Sequence, residues 1–249
     1  MVICQRWCAL VFLVIALCGG ARAGAAAPLP ADQYGDLARL GKNVFNDTPT
    51  YAGRYVGNKM SCTNCHLDGG TKANAAPMWA AYASYPAYQS KFDRVVTLED
   101  RIQQCFRFSQ NGFAPSKDSH VMLALLAYMR SVSTGRVIGD MSGRGFLTVQ
   151  RPPESPSPRN GESVYQQRCM GCHGATGEGV GRAPPLWGMG SYSRGAGLHR
   201  NELLAGFVRA NMPLGAPNLT DQEAWDVSAW INLQLRPPDP RKGLGGLFE

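Results

Sequence analysis

Three stretches of the chain carry a clear hydropathy pattern. Residues 9–17 (ALVFLVIAL) are an unbroken apolar run, preceded by Arg6 and followed by Ala21-Arg22-Ala23. A run this short does not span a bilayer; with a basic residue before it and an A-x-A site after it, it predicts a cleaved signal peptide over 1–23. Residues 119–131 (SHVMLALLAYMRS) are apolar nearly all round, which predicts a helix packed on a large apolar body. Residues 220–235 open with Thr220 and Glu223 in capping-box spacing and stop before Pro237-Pro238, which predicts a second long helix. No other apolar run is long enough to cross a membrane, so a mature protein without a membrane span is expected.

The pattern repeats. GKNVF at 41–45 answers GESVY at 161–165, and each is expected to open a short helix. APMW at 76–79 answers APPLW at 183–187, and RPPESPSPR at 151–159 reads as an extended, Pro-rich linker. Charged residues are only 17 %, with 29 Gly and 17 Pro, which suits compact units with much loop and excludes a coiled coil or a disordered tail. The expected organisation is a signal peptide at 1–23, one domain at 24–148, a linker at 149–159 and a second domain at 160–249.

Eight cysteines decide the chemistry. Cys4, Cys8 and Cys18 lie within the predicted signal. An odd five remain, which argues against a plain disulfide framework. Four of them form CTNCH at 62–66 and CMGCH at 169–173. In such a motif two thiols (here Cys62 and Cys65, or Cys169 and Cys172) add to the haem vinyl groups, and the trailing His ligates the iron. Zinc would need four ligands together, yet the motifs stand 107 residues apart (169 − 62). A thioredoxin-like dithiol needs no trailing His, and no βαβ pattern surrounds either motif. The reading is two covalent haem c groups, with His66 and His173 as proximal ligands. The fold class that follows is all-α: two tandem cytochrome c domains, each wrapped round its haem.

The repeat also assigns further residues. Pro77 and Pro184 each lie 11 residues past their His (77 − 66 and 184 − 173), where a backbone carbonyl can accept the imidazole N–H. Met212 lies 39 residues past His173 (212 − 173), and Cys105 lies 39 past His66 (105 − 66). Met is the usual sixth ligand opposite His, so Cys105 holds by position the place of a haem ligand in the first unit. A buried structural cysteine and an intermolecular disulfide are the alternatives. Met60, Met78, Met122, Met129, Met170 and Met189 read as core or loop. His120 and His199 have no counterpart in the other half and are the fallback ligands.

Lys and Arg exceed Asp and Glu by seven, and by five once Arg6 and Arg22 leave with the signal. Such an excess attracts small dianions and an acidic electron acceptor, or is simply a mildly basic surface. Nothing in the chain suggests nucleic-acid binding. A thiolate lowers the reduction potential of an iron where a thioether raises it, and it offers a nucleophilic sulfur that a pure electron shuttle does not need.

From Gly57 to Pro237 the chain resembles the dihaem thiosulfate dehydrogenases. The resemblance is carried by GNKMSC at 57–62, YPAY at 85–88, LEDRIQQCF at 98–106, Asn111-Gly112, PPLWG at 184–188, GAG at 195–197, NMPLG at 211–215 and EAWDV at 223–227. It implies a periplasmic oxidoreductase that couples two thiosulfate ions to tetrathionate and passes two electrons to an external acceptor such as a small cytochrome. It also implies His66/Cys105 ligation at a catalytic first haem, with Arg101 and Ser109 lining the anion pocket, and electron exit through a His173/Met212 haem. The chain departs from the family at Phe108, where an arginine is usual, and at Asn211, where some members have a lysine. The alternative is a non-catalytic dihaem electron carrier serving another dehydrogenase.

Overall fold

The computed structural model describes residues 28–135 and 142–242. The predicted signal peptide lies outside these residues.

The first half runs through helices α1 (Gln33–Asn46), α2 (Thr48–Ala52), α3 (Leu67–Gly70) and α4 (Ala81–Ser84). A hairpin follows, β1 (Ala87–Gln89) paired antiparallel with β2 (Arg94–Val96), then α5 (Leu98–Phe108) and α6 (His120–Ser133). The second half contains α7 (Pro158–Arg168), α8 (Met170–His173), α9 (Asn201–Asn211) and α10 (Asp221–Leu233). With strands of three residues each, the fold is helical as expected. Side-chain caps set the starts. Asp32 accepts from Gly35 N at 2.8 Å. Thr97 and Asp100 form a capping box on α5, as Thr220 and Glu223 do on α10. Pro158 and Arg159, at the end of the expected linker, are the first residues of α7, where a missing N–H costs nothing.

Helix α1 crosses α6, and α7 crosses α10. Both crossings turn on the glycine of the repeat. A Cβ on Gly41 would sit 1.9 Å from the Ala124 carbonyl, and one on Gly161 would sit 2.0 Å from the Asp226 carbonyl. The first glycine therefore does not open its helix, as its place in the sequence repeat suggested. It lies two turns into α1, at the point where the two backbones touch.

Each crossing closes one end of an apolar core. The first holds Val44, Phe45, Ile102, Phe106, Met122, Leu125 and Tyr128. The second holds Tyr165, Leu204, Phe207, Val208, Trp225, Val227 and Ile231, together with Met60, Leu67, Ala75 and Phe108 from the first half. The two halves therefore do not pack independently. Among the described residues no helix is long and apolar enough to cross a membrane.

Candidate functional site

CTNCH opens in a single tight turn, Cys62–Asn64, fixed by Asn64 Oδ1 accepting from Ser61 N at 2.7 Å. Just beyond it, His66 Nδ1 donates to the Ala76 carbonyl at 2.7 Å. A carbonyl can only accept, so the proton sits on Nδ1 and the Nε2 lone pair is free for a metal. The acceptor is not Pro77, as the equal spacing of the two motifs suggested. Asn74 and Ala76 both adopt left-handed backbone (φ 60° and 46°), and their N–H groups donate to Gly143 and Gly145 at 2.7 Å. Those bonds pull the segment toward the connecting chain and bring its carbonyl to the ring one residue early. In the second half Pro184 is the acceptor as expected, 2.9 Å from His173 Nδ1.

Cys105 projects from α5 into a cavity of about 240 Å³ lined by Cys62, Cys65, His66, Arg101, Ser109 and the apolar Phe45, Ile102 and Leu125. Arg101, one helical turn earlier, donates from Nη1 to Cys105 Sγ at 3.1 Å and also bonds the Tyr85 side chain. Burial works against a charged Cys105, but the adjacent Arg101 guanidinium, with His66 acting in the same direction, outweighs it and brings the thiol down to about 7. Burial pushes Cys62 and Cys65 the other way, up to about 12. His66, Cys62, Cys65 and Cys105 thus line one cavity. Ser109 caps the same helix, its N–H on the Cys105 carbonyl at 2.9 Å.

The second cavity is larger, about 1200 Å³, and brings together Cys169, Cys172, His173 and Met212 under walls of Leu186, Leu204, Phe207, Val227 and Ile231. Met212 follows α9 in extended backbone, its N–H on Val208 O at 2.9 Å. Burial lowers the His173 pKa below that of an ordinary imidazole. Each cavity thus offers two thiols, an imidazole with a free Nε2 and an apolar slot, and Cys105 or Met212 as a sulfur donor. That donor chemistry fits covalently attached haem at both sites.

Met60 and Cys65 line both cavities, so a single layer of side chains separates them. The halves are also sewn together. Asn111 and Asn58 donate to the Ser191 carbonyl at 2.6 and 3.3 Å, and Ser193 donates to the Phe108 carbonyl through both N and Oγ at 2.9 and 2.8 Å. Phe108 is buried in that seam, stacked on Phe92 at 6.0 Å with the Lys91 ammonium 4.3 Å over its ring. It is not among the lining of the first cavity, and Arg107 is exposed. A second cation there is Arg144, from the connecting segment. No motif marks Arg144, and only the course of the connection reveals it.

Residues 50–138 match the family described as SoxA/TsdA, cytochrome c domain, and residues 158–234 match Cytochrome c. The chain is 46 % identical over 220 residues to a thiosulfate dehydrogenase of Stutzerimonas stutzeri, covering 86 % of this chain and 72 % of that one. It is 41 % identical over 227 residues to one of Allochromatium vinosum, covering 86 % and 83 % respectively. The solved "as isolated" thiosulfate dehydrogenase (TsdBA) of Marichromatium purpuratum superposes with a TM-score of 0.84 at 44 % identity, over 88 % of this chain. The match spans half the length of that solved chain.

Proposed function

Since the chain belongs to the thiosulfate dehydrogenase family of cytochromes with two covalent haem c groups, we propose that it couples two thiosulfate ions to tetrathionate at the first haem cavity. The observation that carries this reading is the Arg101–Cys105 pair, a guanidinium 3.1 Å from a thiol shifted toward its thiolate in a cavity that His66 also lines. His66 and Cys105 are the proposed ligands of the first iron, and His173 and Met212 those of the second. When bound, each haem takes up one electron and passes it on.

The remaining steps belong to the side chains. Arg101 holds the sulfonate end of thiosulfate by charge-assisted hydrogen bonds, and Ser109 borders the same space. The Cys105 thiolate forms a sulfur–sulfur bond to the sulfane atom of the first thiosulfate, and two electrons leave. A second thiosulfate then attacks that sulfane sulfur, releasing tetrathionate and restoring the thiolate, an exchange in which no further electrons move. The layer formed by Met60 and Cys65 separates the site of chemistry from the His173/Met212 cavity through which the electrons leave. Their acceptor is an external redox protein such as a small cytochrome, and the excess of positive charge on the chain favours an acidic one. The 1–23 targeting pattern supports a periplasmic setting.

The direct test is to add thiosulfate to the purified, oxidised dihaem protein. Haem reduction accompanied by tetrathionate in a 1:2 ratio to electrons is expected. Haems that respond to other reductants and never to thiosulfate would move the protein to the electron-carrier class.

A further inference from the structure

Asn211 is the last residue of α9, fully buried, and directly precedes Met212. Its side-chain amide donates to Phe207 O in its own helix at 2.9 Å and to Asn74 O in the other half at 3.1 Å. Its Oδ1 is buried with no partner. An apolar residue of similar size would avoid that unmet acceptor, so the side chain is of use chiefly for its donor. The two carbonyls it meets also fix which way the amide points, since only the NH2 can face them.

The far end of this bond lies in a segment already in use. Asn74 begins a three-residue stretch, left-handed at Asn74 and Ala76, whose last residue accepts the His66 N–H through its carbonyl, and the stretch is clamped by the Gly143 and Gly145 carbonyls. Residues 74–76 thus meet the proximal imidazole of the first haem site on one side and the chain leading to Met212 on the other. Pro213 bars Met212 from helical backbone, so α9 ends at Asn211, and the tether acts where the chain leaves the helix.

We infer that Asn211 is a positioning residue for the sulfur donor of the second haem, and that it acts across the domain boundary by pinning the Met212 segment to the segment that orients His66. This rests on the proposed ligand role of Met212. Exogenous imidazole competing for the ferric second haem measures how firmly that donor is held. In the full dihaem protein, Asn211→Leu keeps the volume and removes the donor. It should bind imidazole about tenfold more tightly, equivalent to about 1.4 kcal/mol of lost anchoring, and should shift the midpoint potential of the first haem as well. Asn211→Ser, too short to reach Asn74, should behave the same way, and it carries the test if the leucine variant does not fold. Imidazole affinity within twofold of the parent in the variants that fold would overturn the inference. So would a change confined to the second haem, which would leave only the bond to Phe207 in play. A parent protein without the near-infrared band of Met-ligated ferric haem would instead overturn the ligand assignment itself.

Discussion

Replacing Arg101 by glutamine removes the guanidinium that donates to Cys105 Sγ. At 3.1 Å a full ion pair at an effective dielectric of 20 would be worth about 5 kcal/mol. Desolvation of both groups cancels much of that, and a hydrogen bond to a charged group is worth about 1.5–3 kcal/mol net. If the same guanidinium holds the sulfonate of thiosulfate, kcat/KM should fall about ten- to a hundredfold. Because the contact exists before and during reaction, much of the loss should appear in KM. Arg101→Lys keeps the charge and loses the two-pronged geometry, so it should fall between the parent and the glutamine variant. The assay is steady-state thiosulfate oxidation with an artificial electron acceptor at two ionic strengths, on protein shown by mass to carry both haems. A glutamine variant that keeps kcat/KM within threefold of the parent would refute the anion-binding role, and with it the reading of this cavity as the substrate site.

Three further outcomes are expected. Cys105→Met should keep both haems attached, raise the first haem's potential and abolish thiosulfate turnover, because a thioether is neither anionic nor nucleophilic; turnover at the parental rate would sink the covalent step. Gly161→Ala should cost about 1–3 kcal/mol in denaturant unfolding, because its Cβ would stand 2.0 Å from Asp226 O; an unchanged midpoint would mean that α7 and α10 separate freely. Buried Asp239, hydrogen-bonded to Arg241, has its pKa held below its ordinary 3.8, first by that hydrogen bond. Its contribution to stability should be complete above pH 3.8 and lost as pH falls through the lower folded value. Urea midpoints measured down the acid limb should show this, and Asp239→Asn should flatten that limb.

The haem motifs were legible because covalent attachment fixes residue types and spacing, and the repeat and the shared offset of Cys105 and Met212 could be counted from them. Even so, equal offsets hid unequal surroundings. Cys105 lies inside α5, three residues before its end, whereas Met212 follows the end of α9. The difference is local chemistry: Phe106, Arg107 and Phe108 can continue a helix, and Pro213 cannot. The exchange of Ala76 for Pro77 was not legible, because it depends on bonds to Gly143 and Gly145, some 70 residues away. The seam at Ser191–Ser193 and the place of Arg144 escaped for the same reason: hydrogen bonds to distant backbone leave no period in a sequence.

The shared second core has a consequence for how such a chain can change over time. A unit that contributes Met60, Leu67, Ala75 and Phe108 to the core of its neighbour can no longer be inherited alone. Cut free, the first half would expose those side chains to water, and the second would lose one wall of its haem slot. Recombination within the connection would therefore be tolerated only when both partners carry matching seams. With that seam in place, each half can change around its own cavity, but neither can be exchanged for another cytochrome unit that lacks the matching side chains.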